Sequence, residues 1–447
     1  MAALLVAGGI GHPVSPSPAP AARLIPFERA LLFGRRPPPV PPEQASVWAV
    51  RDGRVSSVHA RIQAVDDGWE LTDEGSMNGT FVDGVRIEEP VRLREGAVLF
   101  FGHQVAVFRT LSGRELDAVR RDLLAPFGPV PILSPIFVAV TDKLRRLALG
   151  TGEMLLVGET GVGKEVYAKA IHDASGRAGR FVAVNCAAIP RELVETELFG
   201  FARGAHSEAR ESKPGLIDEA DGGTLFLDEI GEMSPELQSK LLRFVQDRMM
   251  TPVGGTQPRR IDARILAATN RLDAPSSSED RGLRLDLVAR LGAEPMRLPS
   301  LREHIEDVGA LASHFLRGSD RRLTAPALRA LHLHAWPGNV RELEKSLQEA
   351  LVLSRGTTAI DIDHLPSRLH GAQRPAPMPP VANRPTPTGP ELEELLRRHK
   401  GNMTHVAREL QRQPALVYRW VQRFQLDPET FREKQGGARA ARGAGPR

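Results

Sequence analysis

The chain has 447 residues, a formal net charge of +4 at pH 7 and a single cysteine, Cys186. That length accommodates two to four domains; the mild charge permits nucleic-acid binding without arguing for it, and one cysteine, read as a small buried residue, excludes a disulfide framework and fits a reducing cytoplasm. No apolar run reaches the length of a membrane span, the opening MAALLVAGGIG lacks the basic start of a secretory leader, and the 36 prolines and 41 glycines gather in segments that mark linkers between modules.

In chain order, residues 1–24 are rich in Ala, Pro, Gly and Ser and read as disordered. Short strand-like runs follow between turn signals: ALLFG, SVWAV, ARIQAV, WELTD, TFVDG, VRI, AVLFFG and VAVFRT. This spacing predicts an all-β sandwich over residues 25–112. With Gly34-Arg35, VSSVHA (Val55 to Ala60) and EGSMNGTFVDG (Glu74 to Gly84), the stretch resembles a forkhead-associated (FHA) domain. The resemblance implies a site for phosphothreonine on loops at one end of the sandwich, with a phosphothreonine protein or kinase as partner. Arg35 would pair with the phosphate, Ser56 and Ser57 would donate to it, Asn78 would hold the peptide backbone, and His59 would fix the loop. A guanidinium fork suits phosphate oxygens. Two positions depart from the family pattern: Ser57 replaces the usual Arg or Asn, and Met77 replaces a small hydroxyl residue beside Asn78. A sandwich that docks proteins, or its own neighbouring domain, without reading phosphate therefore stays open. Residues 113–127 (GRELDAVRRDLLAPF) carry apolar residues at helical spacing and predict a connecting helix.

The apolar run MLLV (Met154 to Val157) leads into Gly158-Glu159-Thr160-Gly161-Val162-Gly163-Lys164-Glu165. Glycines let the backbone turn tightly and point successive N–H groups at a phosphate. Lys164 then reaches the terminal phosphates, and the helix that starts there adds its positive dipole end. Strand, glycine loop, lysine and helix in this order make a P-loop, although Glu165 replaces the hydroxyl residue that would ligate Mg²⁺. Four more apolar runs, FVAVN, GTLFLDEI, ARILAAT and PMRLP, alternate with helix-like stretches and predict a parallel sheet with helices on both faces. The run TLFLDEI ends in Asp228 and Glu229, two carboxylates that are costly to place together unless they meet a cation and a water. Asp228 is read as the Mg²⁺ residue and Glu229 as the base for water attacking ATP.

Residues 130–365 resemble the AAA+ domain of bacterial enhancer-binding proteins, the activators of sigma-54 RNA polymerase. The stretches that carry the resemblance are GETGVGKE, NCAAIPRELVETELFG, GGTLFLDEIGEMSPELQSKLLRFVQ, VGGTQPRRIDARILAATNR, LPSLREHIEDV and WPGNVRELE. Glu165 is ordinary in that family. Over residues 128–368 the resemblance implies an ATPase with an α-helical lid. Asn185 would be the switch that restrains the catalytic glutamate, Thr269 and Asn270 the first sensor, and Arg341 the second. Arg284 and Arg290 match arginines that reach into a neighbour's site, so the site would be completed by assembly into a homo-oligomeric, hexameric ring. The family's GAFTGA loop, which contacts sigma-54, reads Gly204-Ala205-His206-Ser207-Glu208-Ala209 here. A carboxylate and a polar ring thus replace an apolar tip, and coupling to the sigma-54 holoenzyme is what the departure puts in question.

Arg374 to Pro390 is proline-dense and forms a semi-rigid spacer within a linker over residues 369–390. Beyond it, ELEELLRRH reads as a helix with Leu392, Leu395 and Leu396 inside, followed by MTHVARELQ as a second helix. A third, PALVYRWVQRFQL, has Val417, Val421 and Phe424 inside and Ala415, Tyr418, Arg419, Gln422 and Arg423 on the open face. Residues 391–427 predict a helix-turn-helix and resemble the Fis-type domain that ends the same activator family, with Gln411 where the turn glycine usually stands. The resemblance implies upstream DNA as partner; a hairpin used for dimerisation is the alternative. Residues 428–447 are basic and glycine-rich and read as disordered.

The fold class is therefore multidomain: an all-β FHA-like sandwich, an α/β P-loop AAA+ module with its lid, and a small all-α helix-turn-helix. The expected function is a cytoplasmic, ATP- and Mg²⁺-dependent regulator that binds upstream DNA and activates sigma-54 RNA polymerase, with no membrane association. Two alternatives stay open: a DNA-binding AAA+ regulator uncoupled from sigma-54, and a protein-remodelling ATPase that does not act through DNA.

Overall fold

Three runs near the start of the chain, AALLV, AVLFF and VAVF, are apolar without alternating, the pattern of strands buried on both faces. The computed structural model describes residues 1–7, 22–205, 211–270, 283–292, 294–371, 387–399, 401–410, 417, 420–421, 424, 426 and 428–431, and shows why. One sheet of the sandwich has the order β2 (Ala22–Phe27), β1 (Ala2–Ala7), β11 (Gln104–Thr110), β10 (Val98–Phe101), β7 (Thr80–Val82) and β8 (Val85–Arg86). The other runs β4 (Ser46–Ala49), β3 (Ala30–Gly34), β5 (Ala60–Val65), β6 (Gly68–Asp73) and β9 (Val91–Leu93). Leu4, Leu99, Phe101 and Phe108 point between the sheets. Leu5, Val98, Phe100 and Val107 point the other way, into a core shared with the rest of the first unit.

That first unit spans Met1–Arg374. Sandwich and ATPase-like core, expected as separate modules, form one compact body. The expectation of disorder over residues 1–24 is corrected at residues 2–7 and 22–24, which are strand; the rest of that segment lies outside the described residues. Ala2–Ala7 is paired on both sides, Leu4 with Phe108 and with Ile25, and its side chains from Ala2 to Val6 are buried. Six apolar residues with two sheet neighbours outweigh the Pro- and Gly-rich composition of the segment that follows.

The expected connecting helix is α1 (Gly113–Leu124), started by a reciprocal Ser112–Glu115 capping box. After α2 (Pro135–Ala148), the α/β core alternates β12 (Met154–Val157), α3 (Lys164–Ala174), β13 (Phe181–Asn185), α4 (Arg191–Phe199), α5 (Leu216–Glu219), β14 (Thr224–Asp228) and α6 (Pro235–Asp247). A short hairpin of β15 (Met249–Met250) and β16 (Arg259–Arg260) precedes β17 (Arg264–Thr269), α7 (Leu285–Leu291) and β18 (Met296–Arg297). The order β13-β14-β17-β12-β18 is parallel throughout, as expected, with Asn185 opposite Asp228 and Val157 opposite Thr269. All the expected active-site strand ends therefore lie along one edge of the sheet, where open α/β sheets bind ligands. The lid consists of α8 (Val308–Phe315), α9 (Ala325–Leu333) and α10 (Asn339–Leu353).

The outer face of the sandwich meets α8, α9 and the turn Ile305–Asp307. Within this seam Arg109 of β11 reaches the fully buried Glu306, with Nη2–Oε2 at 3.0 Å and Nε–Oε1 at 3.2 Å. Burial works to raise the Glu306 pKa, but the guanidinium outweighs it and holds the carboxyl below its usual value. The adjacent Asp307, also buried, accepts hydrogen bonds from the Leu133 and Ser134 amides at 2.6 and 3.2 Å and lies 3.0 Å from His304 Nδ1. Burial raises its pKa.

The second unit, Pro375–Arg447, contains α11 (Gly389–Arg398) and α12 (Met403–Glu409). Leu392 and Leu396 pack with Val406, Val417, Trp420 and Val421, so the interior positions expected from the helical spacing are interior. Ala415, Tyr418, Arg419, Gln422 and Arg423 lie outside the described residues. Among the described residues, no helix is long and apolar enough to cross a membrane.

Arg109→Ala leaves Glu306 buried without its counter-charge. The substitution is expected to destabilise the first unit by about 3–5 kcal/mol. Urea unfolding of the full chain measures this, and an unchanged midpoint would contradict the assignment of the pair.

Candidate active site

β12 delivers the chain to Gly158, whose amide donates to Thr269 O at 3.2 Å and so ties the start of the loop to the end of β17. Gly161 and Gly163 have φ of 84° and 97°, in the left-handed region that favours glycine. At Gly161 a Cβ would also run into the Gly338 carbonyl of the lid. Gly163 caps α3, so the N-terminal amides of that helix open onto a cavity of about 520 Å³. One end is apolar, lined by Val130, Ile132, Phe137, Leu311, Phe315 and Val340. The other carries Thr160 to Glu165, Asn185, Asp228, Glu229 and Arg341. An apolar slot that continues into an anion-binding loop suits a nucleotide.

Lys164 is buried, with Nζ 3.0 Å from Gly158 O, 3.4 Å from Glu159 O and 3.5 Å from Glu229 Oε1. The last contact bridges the loop and β14. Asp228 Oδ1 accepts from the Glu229 amide at 3.1 Å, and Glu229 takes left-handed backbone angles, φ 53° and ψ 47°. Such a conformation in a non-glycine residue costs on the order of 1–3 kcal/mol and persists where the surroundings over-determine it. The Asn270 amide donates to Glu229 Oε2 at 3.1 Å, so the expected sensor strand orients the expected base. Thr269 is buried at the end of that strand.

Arg341 lies on the first turn of α10, and its amide donates to Gly161 O at 3.3 Å, which brings the lid directly onto the loop. Asn185 lines the same cavity, but its Oδ1 accepts from the Ala187 amide at 3.0 Å and it makes no hydrogen bond to Glu229. Arg284 and Arg290 do not line this cavity. Arg284 is engaged by Asp286 at 2.8 Å and by Ser239 Oγ at 3.0 Å, and Arg290 is exposed near the other end of α7. Cys186 is buried, and burial pushes its thiol up to about 12, in keeping with a packing role.

Sequence reasoning missed the groups that clamp the loop to the lid. The Glu159 carboxylate meets the Arg302 guanidinium through both oxygens, one bond at 2.8 Å, and accepts from Asn339 Nδ2 at 3.1 Å. The Arg302 hydrogen bonds hold the Glu159 carboxyl below its ordinary value. Fully buried Asn339, with φ 54°, also donates to Thr160 O at 3.0 Å and accepts from the Leu301 amide at 2.9 Å. Glu159 is therefore turned toward the lid. The usable signal was an Asn directly after glycine in WPGNVRELE, since Asn is among the few residues that tolerate positive φ.

Two further sites were expected. Gly204 and Ala205 stand at the base of the sigma-54-type loop, where Phe201 bridges to Lys213 and to Val253. His206, Ser207, Glu208 and Ala209 lie outside the described residues. On the sandwich, the structure gathers the FHA-type residues at one end. The Arg35 amide donates to Ser56 O at 2.8 Å, Ser56 Oγ accepts from the Met77 amide at 3.0 Å, and Asn78 Nδ2 donates to Arg54 O at 2.6 Å. Arg35 and Ser57 are exposed. His59 is fully buried against Phe33 and Phe101, and its Nδ1 accepts from the Ser56 amide at 3.1 Å. Burial lowers its pKa, which keeps it neutral and able to accept. His59 shapes the loop from beneath, as expected.

Comparison with known proteins adds independent findings. The sigma-54 interaction domain family matches residues 132–297, the AAA+ ATPase lid domain residues 302–380, and the FHA domain residues 31–102. The chain is 37% identical over 308 residues to the transcriptional regulatory protein GlrR of Escherichia coli (strain K12), covering 67% of this chain and 69% of that protein. It is 44% identical over 259 residues to the Nif-specific regulatory protein of Azotobacter vinelandii, covering 56% of this chain and 49% of that one. A crystal structure of NtrX from Brucella abortus in complex with ATP shares 29% identity over 64% of this chain and 67% of that chain, with a TM-score of 0.48.

Asn339→Ala removes both side-chain bonds to Glu159 and Thr160 and leaves the buried Leu301 amide unsatisfied. A loss of about 2–3 kcal/mol is expected. Thermal or urea unfolding measures it; wild-type stability would contradict the clamp.

Proposed function

The chain belongs to the family of transcriptional regulators built on a sigma-54 interaction domain, and we propose that it hydrolyses ATP to activate sigma-54 RNA polymerase from upstream DNA under control of a phosphothreonine signal. It is an ATPase of the AAA+ class, joined to an FHA domain. The observation that carries the reading is the convergence of Lys164, Asp228 and Glu229 on one cavity, with the Asn270 amide holding Glu229.

ATP lies with its base in the apolar end and its phosphates along the amides of Gly161 to Lys164. The Lys164 ammonium leaves the loop carbonyls for the terminal phosphates. Asp228, a single carboxylate beside a phosphate site, fits Mg²⁺, which binds through one or two carboxylates plus substrate phosphates and would neutralise their charge. Glu229, oriented by Asn270, accepts the proton of a water whose oxygen bonds to the γ-phosphorus as the bond to the β–γ bridging oxygen breaks. Asn185 restrains Glu229 by exchanging its Ala187 partner for the glutamate in another nucleotide state. Arg284, which precedes α7, and Arg290 on it are exposed and outside their own cavity, and they enter the site of a neighbour in a ring. Arg341 reports phosphate state to the lid.

The helical core around Leu392, Val406 and Val421 supports the reading of a small DNA-binding domain in this part of the chain. His206 and Glu208 in the loop tip favour a second reading, a regulator that hydrolyses ATP without opening sigma-54 promoters.

Glu229→Gln is expected to abolish turnover while sparing nucleotide binding, and Arg284→Ala to lower turnover by about 10³-fold, the scale of an arginine supplied in trans. Mixing the two variants should restore hydrolysis, because some interfaces then pair an intact glutamate with an intact arginine. Steady-state phosphate release measures all three; turnover by Glu229→Gln would refute the base, and no recovery on mixing would refute the shared site. An open-complex assay with sigma-54 holoenzyme separates the two readings.

A further inference from the structure

The first residue of α7, Leu285, is an apolar side chain that its own chain leaves in water. It is 69% exposed and directly follows Arg284, while Leu287 and Leu291 on the inward side of the same helix are fully buried. A scattered surface leucine is ordinary. Leu285 differs because the residue before it is the arginine assigned to a neighbour's site, and that restricts where Leu285 can go.

An arginine that reaches the phosphates of the next subunit carries Leu285 with it. A guanidinium extends about 7 Å from its own Cα, and the following Cα lies about 3.8 Å further along, so Leu285 arrives within roughly 11 Å of the phosphates held at the start of that subunit's α3. The apolar residue that α3 exposes there is Val166, two positions after Lys164 and 45% exposed. Pro129, Glu165 and Val166 line the nucleotide cavity and also a second, open groove of about 1130 Å³ beside it. That groove is mainly apolar, with Phe127 and Ala170 among its walls. It is therefore continuous with the site that the arginine has to enter, and a second copy of the chain is the occupant that the reach of Arg284 delivers to it.

We propose that Leu285 of one copy seats on Val166 of the next, at the mouth of this groove, as an apolar latch that sets Arg284 against the nucleotide. The inference rests on the reading that Arg284 is supplied to a neighbour's site. It adds the surface that holds the two copies in register. The latch is made of buried apolar area, so salt leaves it intact while screening the exposed charges around it.

The test is ATP turnover by the full chain as a function of its own concentration. Leu285→Ser is expected to raise the concentration for half-maximal turnover about tenfold, the scale of one apolar side chain lost from an interface, and Leu285→Met to stay near wild type. Val166→Ser should raise it as well, and the double variant should cost no more than the worse single one, because both substitutions remove the same contact. Unchanged melting of the dilute variants shows that they fold. Oxidation of a chain carrying both Leu285→Cys and Val166→Cys should give covalent dimers and larger species in the presence of ATP, which neither single substitution gives. Additive effects of the two serine variants, or no cross-link, overturn the latch; recovery of turnover on mixing Glu229→Gln with Arg284→Ala then leaves the shared site standing. Failure of that recovery overturns both.

Discussion

Two adjacent carboxylates, Glu306 and Asp307, lie fully buried where the sandwich, the α/β core and the lid meet. Taking each from water costs several kcal/mol unless it is paired and hydrogen-bonded. Each is answered from a different direction. Glu306 receives Arg109 from the sandwich, and Asp307 receives the Leu133 and Ser134 amides and the His304 ring. Neither set suffices alone, because a single unpaired member would leave a buried charge. The sandwich is therefore part of the ATPase body, and its outer sheet is apolar on both faces for the same reason. His304 also packs on Phe137 at 4.7 Å, and both line the nucleotide cavity, so only a few contacts separate β11 from the wall of the site.

The second constraint lies on the far side of that cavity. Gly161 has no Cβ, and this allows the carbonyl of Gly338 to come against the loop. Asn339 and Arg302 then take hold of Glu159. The loop is gripped from behind by the lid while its amides face the phosphate position. A movement of the lid must either carry the loop with it or break these bonds.

The groups that meet at the cavity were legible in the sequence because they come from contiguous residues: a glycine loop ending in Lys164, and two carboxylates at the end of one strand. Most of the strands were legible too, but β1, β2, β9 and the short hairpin of β15 and β16 were not. What escaped is tertiary pairing. Arg109 and Glu306 are separated by 197 positions, and Arg302 and Glu159 by 143, so no local pattern links them. The first strand was lost for another reason. Averaged with the Pro- and Gly-rich segment that follows, AALLVA reads as part of a tail; only two neighbouring strands reveal it as the middle of a sheet.

That the sandwich is built into the ATPase is tested most directly by amide hydrogen exchange at Leu133 and Ser134 in the full chain, wild type against Arg109→Ala. With Arg109 removed, Glu306 loses its counter-charge, the turn that carries Asp307 loosens, and both amides should exchange faster together with those of β11. Faster exchange in β11 alone, with Leu133 and Ser134 unchanged, would show that the sandwich is only an appendage and would contradict the shared body.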